Sequence, residues 1–200
     1  MTTELKTQGR ILAAAKEALL QTGFSQLSTR KIAEAAGVPL SQIHYHFGSK
    51  QNLLLEVLEE ENRKLLERQT LMYQSELPLW KQWEQACDYL EEDLDSGYVR
   101  VLQEMVAAGY SDVDIATKVR QNLRGWFDLL TSVAERAEQQ LGGLGPFTPR
   151  EIAALAGLPY LGAEAVILLG MSEEVIPSRS ALRKIGDVIR SLEDGASTTG

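Results

Sequence analysis

The sequence predicts an all-α protein, with a small three-helix domain at the N-terminus and a larger helical bundle behind it. Three observations carry that expectation. Apolar residues return at intervals of three and four in segment after segment, as they do on helices with one buried stripe. The larger C-terminal part shows neither the alternation of a half-buried strand nor an internal repeat. A chain of 200 residues, 44% hydrophobic and 24% charged, has ordinary globular composition and enough length to bury a sizeable core.

The elements follow in order. Residues 4–22 form a first helix with Ile11, Leu12, Ala15 and Leu19 on one side, ended by Gly23. Ser28 suits the N-cap of a second helix, whose Ile32, Ala33 and Ala36 make one apolar stripe before Gly37 stops it. A third runs from Leu40 to Phe47 behind Pro39, with Ile43 and Phe47 inward and Ser41, Gln42, His44 and Tyr45 outward. Gly48 closes it, and Ser49 caps a fourth helix that passes residue 70. Pro78 opens a helix carrying Trp80, Trp83, Cys87 and Leu90; further helices cover 98–108 and 112–140. After a glycine-rich loop, Thr148 and Glu151 make a capping box with Pro149 at the first helical position. The last helix spans about 177–193. Residues 1–48, continuing into the start of the fourth helix (49–58), are thus expected to form one helical domain, 59–194 a second, and 195–200 a disordered tail.

Residues 28–50 carry the function. Two short helices with a glycine-containing turn between them are the pattern of a helix-turn-helix, whose second helix enters the DNA major groove. Thr29, Arg30 and Lys31 open one helix and Lys50 another, where cations oppose the helix dipole and a phosphate would reverse that sign. Lys6 and Arg10 in the first helix read equally well as phosphate contacts or as solvated charge. The charge is uneven: residues 1–50 hold Lys6, Arg10, Lys16, Arg30, Lys31 and Lys50 against Glu4, Glu17 and Glu34, a net +3, within a chain of net charge −8. A mildly basic head on an acidic body fits DNA contact confined to the N-terminus.

The stretch LSTRKIAEAAGV, followed by a short helix ending HYHFGSKQNLL, resembles the DNA-binding domain of TetR-family transcriptional regulators over about residues 8–58. His44 stands where that family usually has tyrosine, and Pro39 where it often has Ser or Thr. The resemblance implies a homodimeric repressor that binds a palindromic operator in double-stranded DNA and is released by a small, largely apolar ligand. It places the dimer interface on the last two helices, which are rich in small residues (Ala153, Gly157, Gly162 and Ala163 among them). Gln42 and Tyr45 are the candidates for base edges, Leu40 for a thymine methyl, Ser41 and His44 for base or phosphate, Thr29 and Arg30 for the operator from the second helix, and Lys50 for a phosphate. Trp80, Trp83, Cys87, Tyr98, Met105, Tyr110, Trp126 and Phe127 would line an effector cavity, although any one of them taken alone reads better as core. The long fourth helix, leading from the basic head into the acidic body, is the expected mechanical link between effector and DNA.

Other chemistries are not expected. A single cysteine fits a reducing cytoplasm and rules out an internal disulfide. His44 and His46, two apart on a helix, point in different directions and make poor joint metal ligands. No phosphate loop or nucleophile elbow appears, so neither an enzyme nor a cofactor is expected. The apolar run 152–171 has membrane length, but Pro159 and Glu164 fall within it, and a buried helix is the better reading. The competing classes are a helical small-molecule-binding or scaffolding protein with a vestigial head, and a DNA binder that activates transcription or organises chromosomes.

Overall fold

The computed structural model describes residues 3–197. Among them all regular structure is helical: α1 (Thr3–Gln26), α2 (Thr29–Ala35), α3 (Leu40–Phe47), α4 (Lys50–Tyr73), α5 (Leu79–Asp95), α6 (Tyr98–Gly109), α7 (Val113–Leu141), α8 (Pro149–Leu168) and α9 (Ser178–Ser197). The chain divides into two compact units, residues up to 64 with 97–122, and 65–96 with 123 onward. Of the three boundaries, those after residues 64 and 122 fall inside continuous helices, α4 and α7, and the one after 96 falls between α5 and α6. The compact units thus do not follow the expected boundary near 58: α6 and the first part of α7 group with the N-terminal helices. The cause is packing: α6 lies against α1, and its N-cap Gly97 sits so close that an added Cβ would come within 2.6 Å of the Leu20 methyl groups. Periodicity names the apolar stripe of a helix but not its partner.

In the first unit the stripes meet as expected. Ile11, Ala15 and Leu19 of α1, Ile32 and Ala33 of α2, and Ile43 and Phe47 of α3 are buried, joined by Leu53, Leu54 and Leu58 of α4 and by Val99, Val101 and Met105 of α6. Lys16 ties α1 to α4 by an ion pair with Glu61, which also accepts from Lys64. Burial alone would push the Glu61 carboxyl up, but the two lysines outweigh it and hold the group below the usual carboxylate range. The helix of α1 breaks at Gly23 (φ 73°, ψ 169°), where the sequence places its end, and one further turn follows. Ser28 takes the extended N-cap backbone (φ −119°, ψ 120°) but its side chain makes no cap bond, whereas Ser49 does, accepting the Asn52 N–H at 3.0 Å.

In the second unit α5 packs along α9, and α8 against α9. The Trp83 indole donates to the Leu182 carbonyl at 2.7 Å, and the Glu193 carboxylate accepts the N–H groups of Leu79 and Trp80, capping α5 from 113 residues away. The capping box at Thr148 is formed in both directions. α8 runs through Pro159 without ending and, by length and composition alone, is long and apolar enough to cross a bilayer. It buries Ala153, Gly157, Tyr160, Ala163 and Glu164 on one side. α9 extends to Ser197, so residues 195–197, expected to be disordered, are helical; the rest of that tail lies outside the described residues.

Candidate nucleic-acid interface

The interface is built on α2 and α3, which pack on each other and on α1. Gly37 (φ 63°) makes the turn between them, a left-handed conformation that costs glycine nothing. Ile43 and Phe47 anchor α3 in the core, which leaves the opposite side of a short helix to solvent. Ser41, His44 and Tyr45 are exposed there, and Leu40 and Gln42 half-buried. Arg30 is exposed on α2 and Thr29 half-buried beside it. Seven of the eight expected contacts thus share one part of the molecule. Tyr45 is 73% exposed, and its hydroxyl donates to Glu4 Oε1 at 3.4 Å, which brings the first turn of α1 to the outward side of α3.

His44 Nδ1 lies 3.3 Å from the Gly48 carbonyl. A carbonyl only accepts, so Nδ1 carries the proton in that bond.

Lys50 is engaged within the protein. Its ammonium points into the protein, donating to the Phe24 carbonyl at 3.3 Å and the Leu27 carbonyl at 3.4 Å, and it sits 5.1 Å from the centre of the Phe24 ring. A cation at the start of α4 opposes the helix dipole, and these carbonyls and the ring face compensate for it. Lys16 is likewise engaged, with Glu61. Lys6, Arg10, Arg30 and Lys31 remain exposed, with no ion pair or hydrogen bond among the described residues. The free positive charge of the head therefore lies on α1 and α2, not on α4.

The eight expected cavity residues divide between the units. Tyr98 and Met105 are buried in the first unit, and Tyr110 belongs to it but is 84% exposed, a poor lining residue. In the second unit Trp83 meets Tyr160 edge-on at 5.4 Å, Trp126 meets Phe127 at 5.2 Å and Tyr160 at 6.5 Å, and Cys87 Sγ is 3.2 Å from the Tyr160 hydroxyl. Burial pushes the Cys87 thiol and the Tyr73 and Tyr160 phenols up, so all three are neutral. Trp80 stands apart, its ring under the Arg190 guanidinium at 4.8 Å. Tyr160, Tyr73 and Gln69 (which accepts the Trp126 indole N–H at 2.9 Å) are members of this cluster that periodicity alone did not single out. Each is separated from its partners by more than fifty residues or lies in another helix. Among the described residues no group of three or more His, Cys, Asp or Glu side chains is placed to hold a metal ion.

A second exposed surface lies on α8 and α9. Leu155, Leu158 and Leu169 follow one another along one side of α8 and its C-cap, and Val188 and Leu192 are exposed one turn apart on α9. An open, mostly apolar groove of about 360 Å³ runs between the two helices, bounded by Pro159, Gly162, Val166, Ile176, Ala181 and Ile185.

These features define a helix-turn-helix protein with a helical second unit, and comparison with known proteins shows what it is similar to. The model of bacterial regulatory proteins of the tetR family matches residues 11–57. The transcriptional regulator QacR of Staphylococcus aureus is 26% identical over 116 residues, which span 54% of this chain and 56% of that relative, little more than half of its length. A TetR-family regulator from Agrobacterium tumefaciens superposes with a TM-score of 0.76 at 18% identity, covering 94% of this chain and 98% of that one. Bacillus subtilis FadR, solved in complex with stearoyl-CoA, superposes with a TM-score of 0.75 at 14% identity, covering 90% and 96%. The head of the chain is thus similar to the DNA-binding part of tetR-family regulators, and its fold is shared with solved regulators of that family.

Proposed function

We propose that the protein is a homodimeric repressor that binds a palindromic operator through α2 and α3 and releases it when the second unit takes up a small, largely apolar ligand. The observation that carries this reading is the pairing of an uncovered polar face on α3 with uncompensated cations on α1 and α2. Gln42 has the amide geometry to bond an adenine edge in two places, Tyr45 and Ser41 offer hydroxyls, and Leu40 offers apolar contact to a thymine methyl. Thr29 and His44 complete the base and phosphate contacts; Arg30 and Lys31, with Lys6 and Arg10, neutralise phosphates.

Two copies are needed because one eight-residue helix reads only a few base pairs, and a two-fold pair reads a palindrome. The apolar stripe of α8 and α9 supplies the surface: leucines and valines left in water along two neighbouring helices are covered when the same surface of a second copy meets them. For the effector, the cluster of Trp83, Trp126, Phe127 and Tyr160 around Cys87 offers an apolar lining with a few polar groups. The stearoyl-CoA held by B. subtilis FadR agrees with such a ligand class. A reducing cytoplasm, where operators and a free thiol coexist, is the compartment that fits.

Selection of binding sites from random duplex DNA by the purified protein, at fixed physiological salt, tests the reading. Enrichment of a palindrome with half-sites about one helical turn apart is expected. A folded helical dimer that enriches nothing would refute it.

A further inference from the structure

Phe24 lies in the five-residue link between the break in α1 and the start of α2, and its peptide groups are held from both sides by charges on other helices. Its N–H donates to Glu104 Oε2 of α6 at 3.1 Å. Its carbonyl accepts from Lys50 of α4 at 3.3 Å and from the Leu27 N–H at 3.5 Å, and Lys50 also reaches the Leu27 carbonyl at 3.4 Å. Gly23 makes room for this arrangement. It adopts φ 73°, and a Cβ there would stand 3.1 Å from Glu104 Oε1. Leu27 is followed by the N-cap of α2, and α2 packs on α3, so the direction taken by the link sets the placement of both helices.

We propose that Glu104 is a positioning residue for DNA recognition: its carboxylate, on a helix outside the helix-turn-helix, fixes the Gly23–Phe24 peptide while Lys50 fixes the other end of the link. The pair orients α2 and α3 without touching DNA. Charge-assisted bonds to backbone are about twice as strong as neutral ones, and two of opposite sign on one short link leave it little freedom. This inference rests on the DNA-binding reading above.

The experiment measures affinity of the full-length protein for its selected duplex at several salt concentrations, for the wild type and for Glu104→Ala, Glu104→Asp and Glu104→Gln. Amide exchange at Phe24 is followed in the same proteins. Ala removes the acceptor and Asp keeps the charge but falls short of the link; both are expected to bind about tenfold more weakly, the scale of one charge-assisted hydrogen bond. The preferred sequence and the slope of log K against log salt stay unchanged, because no phosphate contact is lost. Gln, whose amide oxygen still accepts the Phe24 N–H, is expected to bind within about threefold of wild type and to retain Phe24 protection. Wild-type affinity in Glu104→Asp with an exposed Phe24 amide would overturn the proposal, and so would a Gln variant as weak as Ala. Should Ala unfold, Asp and Gln still decide. If the wild type bound no duplex, the functional reading itself would fall, and unchanged Phe24 exchange in Glu104→Asp would separately dispose of the clamp.

Discussion

α3 and α8 each bury one side and leave the other in water, and the two uncovered sides are made of different material. On α3 the outward side chains are Ser41, Gln42, His44 and Tyr45, all able to give or take hydrogen bonds. On α8 they include Leu155 and Leu158, continued by Val188 and Leu192 on α9. A polar, aromatic face costs little in water and selects a partner with its own pattern of donors and acceptors, such as base edges. An apolar stripe gains only when water is excluded, and it needs a partner of matching shape, in the proposed reading a second copy. On the proposed reading, one face discriminates sequences and the other drives association.

The largest effect is expected from placing charge on the apolar face. Leu158→Glu with Val188→Glu should give a folded monomer by sedimentation and lower operator affinity by about a hundredfold or more, since each monomer then binds a half-site alone. A double variant that remained dimeric would remove α8 and α9 as the interface. Next, Tyr45→Ala should cost about 1–3 kcal/mol at the bases it reads and alter which sequence is selected. A uniform loss across sequences would move Tyr45 from base to backbone contact.

Smaller effects separate the cations. Arg30→Ala should weaken binding to all sequences and reduce the salt slope by about one. Lys50→Ala should weaken it without changing the slope, because its ammonium serves the Phe24 and Leu27 carbonyls. A slope reduced equally by both would return Lys50 to the phosphate set.

Changes within the scaffold should disturb neither face. Lys16→Met removes a partner of Glu61, whose carboxyl is held below its ordinary value in the folded state. A depressed carboxyl stabilises above its unfolded pKa of about 4.3 and ceases to as pH falls through the folded value. The gap in Tm between wild type and Lys16→Met should therefore be full at neutral pH and close below about pH 4, with dimerisation intact. Thr148→Ala, at the α8 capping box, should lower Tm by about 2–4 °C and leave DNA selection untouched.

The helix-turn-helix and the outward side of α3 were legible because α2 and α3 are short and locally specified. Gly37, Pro39 and Gly48 mark their ends, and two inward residues on α3 leave a definite outward side. The partners of Lys50 were not legible for an instructive reason: a cation at a helix start suits a phosphate, but folding brought two backbone carbonyls to it from residues more than twenty positions away. The same distance hid Glu104, eighty residues from the peptide it holds. The aromatic residues of the body carried helical spacing alone, which serves core and cavity alike, so the division of Tyr98, Met105 and Tyr110 from Trp83, Trp126 and Phe127 was not readable from them.

By itself the sequence determined the helices, their caps, the buried stripe of each and the helix-turn-helix at the head, because these depend on residues within a few turns of one another. Only the tertiary structure decided that α6 joins the head, that Lys50 faces inward, that Glu104 grips the α1–α2 link and that Tyr160 completes the aromatic cluster. Those outcomes depend on which stripes meet, and an apolar stripe is indifferent to its partner until volumes and charges are fitted together in space.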